Sequence, residues 1–376
     1  MRDASAPPTA GMTFEEAMGL ARSRQGAGAL EEARAIYEHI LRLAPDQPDA
    51  LTMLASIGFQ RGDDAAATGR VDAAIAAYRR MLLDAPDNHA LRGALANLLL
   101  ARDRRAEAEA VIARATLAFN PVRASRQEFD RRRRQGRARG LPGILINALP
   151  KSASESIWNK LAEGLGLAQG HISLGLFPDC LVIPYRAREL GRGGMAAKEH
   201  LPATRHNLAA LARAGVVRMI VQLRDPRQAT LSWAHFLEGD VRKRLLAPLW
   251  RKTSPAAAFF RKPFADQLDW HIDNYLPLAL RFIESWAEAS ERRPHGLAVK
   301  LLAFETFKAD PDAYFDALLD FYGIDRDLFR RDAEAEIVHL RKGAVDEWRQ
   351  VFSPEQAARA WERIPPALAR RFDWAP

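Results

Sequence analysis

The segment Gly143-Ile-Leu-Ile-Asn-Ala-Leu-Pro-Lys-Ser-Ala-Ser-Glu-Ser156 changes abruptly from apolar to polar residues. Its apolar half predicts a buried strand, and apolar residues at helical spacing over 157–165 predict a helix directly after it. Amide groups at a helix N-terminus attract anions, and Lys151 adds a full positive charge beside them. The segment therefore predicts an anion-binding turn. An ordinary strand-to-helix connection, with a capping box between Ser152 and Glu155, fits the same residues.

The rest of the second half of the chain has the pattern of a layered domain. From Leu141 onward, strand-like runs alternate with longer amphipathic segments, which is typical of an α/β domain with a mainly parallel sheet. The first half has a different pattern, so we predict a multidomain protein with four parts. These parts are a flexible N-terminal tail (1–11), helical repeats (12–120), a basic linker (121–140) and the α/β domain (141–376).

Residues 12–120 are rich in alanine, helical in pattern and self-similar. One pair of positions recurs 41 residues later and again 34 residues after that. The first interval is longer because it contains extra residues around 63–69. The equivalent positions are Ala33 and Tyr37, Ala74 and Tyr78, and Ala108 and Ile112. This period resembles the tetratricopeptide repeat (TPR), whose paired helices form a surface for a peptide or another domain. A plain helical bundle is the alternative.

Composition limits the class of protein. A chain of 376 residues with 48% hydrophobic content can form packed cores, and a single cysteine, Cys180, excludes an internal disulfide. We find no signal-peptide pattern and no apolar run of membrane-spanning length, so we expect a soluble, cytoplasmic protein. The net charge of +8 favours anionic partners such as nucleic acid, acidic polysaccharide or a phosphorylated co-substrate. The basic linker either guides such a partner or is a solvated run of charge.

A second candidate anion site follows the apolar run at 216–223. Pro226 is well placed to start a helix, which brings Ser232 close to Arg224. An arginine presents a planar fork to phosphate, and a serine hydroxyl can donate to another phosphate oxygen. Each residue taken separately also fits a surface salt bridge or a helix cap.

A third candidate site lies near the C-terminus. Arg341, Lys342 and Gly343 fall together in a predicted loop, and the glycine would let the backbone approach a phosphate closely. Trp348 and Phe352 follow, and we expect them to anchor the next segment on the core.

These segments, in this order, resemble the motifs of cytosolic and bacterial sulfotransferases that use 3′-phosphoadenosine 5′-phosphosulfate (PAPS). The matching residues are Pro150-Lys151-Ser152, Arg224 with Ser232, Arg341-Lys342-Gly343, and Lys198-Glu-His-Leu-Pro202 for the family's Lys-x-His-Leu-Pro segment. Residues 299–311 resemble the strand and turn that precede a helix in these enzymes. The resemblance covers residues 141–360 and implies a P-loop-like sulfotransferase domain.

The resemblance also implies residue roles. The residues that would hold PAPS are Lys151, Ser152, Ala153, Ser154, Glu155, Ser156, Arg224, Ser232, Arg341, Lys342 and Gly343. Lys151 would neutralise charge on the bridging oxygen, Lys198 would contact the sulfonate, and His200 would accept the proton of the acceptor hydroxyl. Glu199 is the rival base. Because neighbouring side chains of an extended segment point opposite ways, only one of the two should face the donor, and we prefer His200.

Three positions depart from the family pattern. Ala153 replaces a glycine and has less backbone freedom. Glu155 replaces a hydroxyl residue, and we expect it to weaken donor binding unless it turns outward or caps the helix. Ser156 stands where many members have a tryptophan against the adenine, so the adenine would have to stack on another ring: Trp233, Tyr275 or Trp158.

The predicted function is sulfonate transfer from PAPS to an acceptor hydroxyl by in-line displacement, requiring no metal. The acceptor is a glycan, a protein or a small molecule, and the repeats would bind it or a protein partner. Two alternatives remain. One is a TPR adaptor whose sulfotransferase-like domain is catalytically impaired, and the other is a nucleoside or sugar kinase. The kinase is disfavoured because the chain has no Gly-x-x-x-x-Gly-Lys-Ser/Thr sequence. No motif points to specific nucleic-acid binding.

Overall fold

The computed structural model describes residues 11–119, 121–122, 124–238, 252–253, 255, 257–334 and 343–376. The chain forms two compact units, which we describe separately. The helical unit is Met1–Ala108 with Ala234–Gln267, and the sheet unit is Glu109–Trp233 with Leu268–Pro376.

The helical unit is built from consecutive helices joined by short turns. They are α1 (Phe14–Gly26), α2 (Leu30–Leu43), α3 (Pro48–Arg61), α4 (Asp64–Asp84), α5 (His89–Ala101) and α6 (Arg105–Ile112), whose last turn belongs to the sheet unit. The repeated residues of the sequence are at most 4% exposed: Ala33, Tyr37, Ala74, Tyr78, Ala108 and Ile112. The prediction of helical repeats is therefore confirmed.

The extra residues between the first two repeats lengthen one helix. Gly62 ends α3 with a φ of 84°, a left-handed conformation that glycine adopts without steric cost. Helix α4 begins two residues later and is 21 residues long, so residues 64–69 form its first turns. The insertion therefore changes the length of a helix and leaves the repeated residues in register.

The sheet unit contains a five-stranded parallel sheet. Its strands are β1 (Ile144–Ala148), β2 (Ala168–Gly170), β5 (Met195–Glu199), β6 (Arg218–Leu223) and β7 (Ala298–Ala303), in the spatial order β2-β5-β1-β6-β7. A separate antiparallel pair consists of β3 (Ser173–Leu174) and β4 (Leu181–Val182). The prediction of an α/β domain with a mainly parallel sheet is confirmed.

Further helices precede, connect and follow these strands. They are α7 (Arg126–Ala138), α8 (Ser154–Leu165), α9 (Pro184–Gly191), α10 (Arg205–Arg213), α11 (Pro226–Glu238), α12 (Phe264–Arg292), α13 (Phe304–Ala309), α14 (Pro311–Tyr322), α15 (Trp348–Val351), α16 (Pro354–Glu362) and α17 (Pro366–Phe372). Strand β7 and the short helix α13 precede α14, whose first turn is capped by Asp310. Residues 299–311 therefore form a strand and a short helix before α14, where the sequence predicts a strand and a turn.

The basic segment 121–140 contains helix α7. Ser125 accepts a hydrogen bond from the backbone N–H of Glu128 and starts the helix. Within the sheet unit, Arg132 lies 2.7 Å from Glu163, and Arg137 Nε donates to the carbonyl of Gly193 at 3.1 Å. Several charges of this segment are therefore paired inside a folded unit.

The order of the strands determines where a ligand can bind. From β1 the chain crosses to β2 on one side of the sheet, whereas from β6 it crosses to β7 on the other. Strands β1 and β6 are neighbours, with Ala148 opposite Gln222. Connections that leave two adjacent parallel strands in opposite directions create a crevice at their carboxyl ends, and ligands of α/β sheets bind there.

Candidate active site

The turn after β1 leads directly into the N-terminus of α8. Lys151 and Ala153 have φ values of 73° and 64°, and Ala153 precedes the helix without a side-chain cap. Ser152 instead donates its hydroxyl to the carbonyl of Leu149 at 2.7 Å. The capping-box alternative is therefore excluded. Because the first N–H groups of a helix have no partner within it, this turn presents donors to an anion.

Ala153 adopts a left-handed conformation, with a φ of 64°, so the turn has a cost in strain. An alanine in this region is disfavoured by roughly 1–2 kcal/mol, partly offset by the lower entropy of its unfolded state. We expect Ala153→Gly to stabilise the protein by roughly 0.5–1 kcal/mol in urea unfolding. The matched control is Ala162→Gly inside α8, which should destabilise it by about 1 kcal/mol. A loss of stability in Ala153→Gly would contradict this account.

Buried hydrogen bonds join the turn to β6. The amide of Leu149 donates to the carbonyl of Gln222 at 2.9 Å, and the Gln222 side chain donates to the carbonyl of Ser152 at 3.2 Å. Tyr314 donates its hydroxyl to the other end of that side chain at 2.5 Å. Gln222 was not predicted as a site residue, although a glutamine inside an apolar strand signals a buried polar role.

Arg224 connects the segments that carry the predicted anion sites. Its Nη1 donates to the carbonyl of Lys151 at 2.9 Å, its Nη2 donates to the carbonyl of Ala344, and its guanidinium lies 4.0 Å from the ring centre of Phe304. Ser232 is half-buried on α11, which begins two residues after Arg224. The structure thus brings Arg224 to the turn of Lys151 and to the residue that follows Gly343.

The C-terminal candidate site is described only in part. Arg341 and Lys342 lie outside the described residues, whereas Gly343 has a φ of 62°, which favours glycine. Trp348 and Phe352 are 2% and 7% exposed, and the amide of Trp348 donates to Gln228 at 3.1 Å. The two aromatic residues are therefore anchored on the core, as the sequence predicts.

His200 lies just after β5, beside the end of β1. Its Nδ1 is 2.7 Å from the carbonyl oxygen of Ala148, and this oxygen can only accept, so Nδ1 carries the hydrogen. Burial, assisted by repulsion from Lys198, lowers the pKa of His200 to about 3 against the opposing effect of that hydrogen bond. The imidazole is therefore neutral near pH 7, and Nε2 is the nitrogen with the free electron pair.

Buried groups fix the backbone that follows His200. The carboxamide of Asn147 donates to the carbonyl of Leu201 at 3.0 Å and accepts from its amide at 2.6 Å. The indole of Trp286 donates to the same carbonyl at 2.7 Å. These residues were not predicted either, although an asparagine within the apolar run of β1 requires a partner. Asn147 is a positioning residue for His200.

Glu199, the rival base, is only 3% exposed. Its carboxylate accepts from the amide of Ile172 and the hydroxyl of Ser173, and one oxygen lies 3.6 Å from Nδ1 of His171. Burial alone would raise the pKa of Glu199, but the hydrogen bonds and the nearby imidazole lower it. Glu199 thus stabilises the connection from β2 to β3.

Lys198 forms an ion pair that the sequence did not predict. Its Nζ lies 2.5 Å from the Glu155 carboxylate, and the two side chains are 9% and 29% exposed. Burial tends to raise the pKa of Glu155, yet Lys198, with smaller contributions from His171 and His200, holds it below its usual value. Glu155 is therefore ionised, and it neither caps α8 nor turns outward.

The three candidate rings for adenine differ in burial. Trp158 is 1% exposed, and its indole donates to the carbonyl of Ala196 at 3.0 Å, so it belongs to the core. Tyr275 is fully buried, and its hydroxyl donates to the carbonyl of Pro150 at 3.3 Å. Trp233 is half-buried and stacks on Tyr275 with ring centres 5.1 Å apart. Trp233 is therefore the most accessible of the three.

Two features are absent from the described part of the chain. Within it, no group of three or more His, Cys, Asp or Glu side chains is arranged to hold a metal ion. None of its helices combines the length and the apolar character needed to span a membrane.

Parts of the chain are similar to known proteins. Residues 65–125 match the family model of the tetratricopeptide repeat. No curated protein matches the chain. Among solved structures, the chain is similar to mouse sulfotransferase SULT7A1 complexed with PAP, at 15% identity and a TM-score of 0.39, over 62% of this chain and 85% of that one.

Proposed function

We propose that the sheet unit is a sulfotransferase that transfers a sulfonate from PAPS to an acceptor hydroxyl. One observation carries the proposal. The guanidinium of Arg224 donates to the carbonyls of Lys151 and Ala344, so the turn after β1, the end of β6 and the segment that begins at Gly343 meet at the carboxyl ends of β1 and β6. A donor with a 5′-phosphosulfate and a 3′-phosphate needs cations and amide donors at two separate places.

The groups divide into two subsites. Lys151 and the first amides of α8 would hold the 5′-phosphosulfate, because a helix N-terminus and a lysine both favour an anion. Arg224 and Ser232 would hold the 3′-phosphate, which the fork of an arginine fits. Gly343, with Arg341 and Lys342, would close over that phosphate, and Trp233 would stack on the adenine.

The transfer is a single displacement. Nε2 of His200 takes the proton of the acceptor hydroxyl as its oxygen forms a bond to sulfur. The bond from sulfur to the bridging oxygen breaks, and 3′,5′-bisphosphoadenosine (PAP) leaves with the electron pair. Lys151 compensates the charge that develops on the bridging oxygen. The repeats of the helical unit would bind a glycan or protein acceptor, or a protein partner, through their extended surface.

Nucleotide titration tests the donor. We expect PAP to bind at least about tenfold more tightly than ATP in isothermal titration calorimetry, because only PAP carries a 3′-phosphate for Arg224. Lys151→Ala should weaken PAP binding, since it removes the cation of the 5′ subsite. Tighter binding of ATP would favour the kinase alternative. Binding of PAP, with no transfer of labelled sulfonate from PAPS to any acceptor in a lysate of the source cell, would favour the adaptor.

A further inference from the structure

The ion pair of Glu155 and Lys198 lies within the proposed donor site. Glu155 belongs to the first turn of α8, directly after the anion-binding turn, and Lys198 belongs to β5, where it pairs with Ile146 of β1. Their charged atoms are 2.5 Å apart and the lysine side chain is 9% exposed. An ammonium that is so nearly buried is held by this carboxylate rather than by water.

This pair removes one positive charge from the site. Two other titratable groups act on Glu155, His171 and His200, and His200 is neutral near pH 7 because burial lowers its pKa to about 3. A sulfonate that approaches Lys198 has to replace the carboxylate of Glu155.

We propose that Glu155 is an internal counter-ion that competes with the nucleotide for Lys198 and thereby speeds release of PAP. The inference rests on the proposed function. While PAPS is bound, its sulfonate attracts Lys198 away from Glu155. After transfer the sulfonate has left and Lys198 returns to Glu155, so its positive charge no longer holds the 5′-phosphate of the product. The charge that the sequence indicates as harmful to binding therefore serves turnover.

Glu155→Gln tests this competition, because it removes the charge and keeps the size of the side chain. We expect PAP to bind at least about fivefold more tightly in isothermal titration calorimetry, a typical coupling between competing sites. The gain should appear as slower dissociation of PAP in stopped-flow displacement, since affinity changes within one site act mostly on the dissociation rate. Unchanged or weaker binding by Glu155→Gln would overturn the inference, because a carboxylate that merely positions Lys198 would have that effect.

Two further variants complete the test. Lys198→Met should bind PAP more weakly than the wild type, and Glu155→Gln with Lys198→Met should return close to wild-type affinity because the pair again has no net charge. The double variant also covers the case in which Glu155→Gln alone fails to fold. If the double variant bound PAP no better than Lys198→Met, the inference would be wrong.

Glu163→Gln is the matched control. Glu163 lies on the same helix and pairs with Arg132 at 2.7 Å, but it stands eight residues further along, about 12 Å from Glu155 along the axis. We expect its affinity for PAP to equal that of the wild type, and a gain like that of Glu155→Gln would show a general charge effect and contradict the inference. If neither the wild type nor any variant bound PAP, the proposed function itself would fail.

Discussion

We expect His200→Asn to lose sulfonate transfer by about 10²–10⁴-fold, the usual contribution of a general base. The substitution is chosen for its geometry. Nδ1 of His200 donates to the carbonyl of Ala148, and an asparagine carboxamide can donate similarly but has no basic nitrogen in place of Nε2. PAP affinity should change little, so the loss appears in kcat. The measurement is transfer of labelled sulfonate from PAPS, with PAP affinity determined in parallel.

Glu199→Gln is the comparison variant, since Glu199 was the rival base. Its carboxylate is buried against Ile172 and Ser173, so the change should lower stability and affect kcat less than His200→Asn does. Greater loss of kcat in Glu199→Gln, at equal folded fraction, would reverse the assignment. Full activity of His200→Asn would remove the histidine from the reaction.

The low pKa of His200 makes a separate prediction about stability and pH. Burial lowers the pKa to about 3, below the ordinary value of 6.5. As the pH falls, the unfolded chain therefore binds a proton on this residue at a higher pH than the folded chain does. The contribution of neutral His200 to stability is therefore complete above about pH 6.5 and is lost as the pH falls toward 3. Urea unfolding at a series of pH values should show a smaller loss between pH 6.5 and 4 in His200→Asn than in the wild type. Equal losses would contradict the burial of the imidazole.

Much of the fold follows from local patterns. The apolar run before Lys151 predicts β1, the recurrence of Ala33 and Tyr37 predicts stacked helix pairs, and both are present. The opposite directions of Glu199, which ends β5, and of His200, which follows it, were also predictable, because successive side chains of an extended segment alternate. Glu199 points to the connection between β2 and β3, and His200 lies against Ala148.

The contacts that arrange the site were not predictable, because they join residues far apart in sequence. Glu155 meets Lys198 only because β5 pairs with β1, and a single sequence contains no information on that pairing. The sequence therefore indicated repulsion where the structure shows a paired charge. In the same way, the arginine run of α7 gives no sign that Arg132 pairs with Glu163.

The second large effect concerns Arg224. We expect Arg224→Ala to weaken PAP binding by about 100-fold, because hydrogen bonds to a charged group contribute about 1.5–3 kcal/mol each. Adenosine 5′-monophosphate, which lacks the 3′-phosphate, should lose much less affinity, so the ratio of the two dissociation constants isolates the role of the guanidinium. Arg224→Lys should fall between, since one ammonium cannot reach the carbonyls of both Lys151 and Ala344 and also bind a phosphate.

Arg218→Ala is the matched control for Arg224. Arg218 begins β6 at the opposite end of the same strand, where its Nη1 donates to the carbonyl of Tyr322 at 3.2 Å. Its removal should leave the ratio of PAP to adenosine 5′-monophosphate affinities unchanged, even if stability falls. If Arg224→Ala lowered the affinities for PAP and adenosine 5′-monophosphate equally, the arginine would act only by linking the turn that contains Lys151 to Ala344. The 3′-phosphate would then have to be bound elsewhere, and the meeting of the motif segments would support the shape of the turn rather than donor recognition.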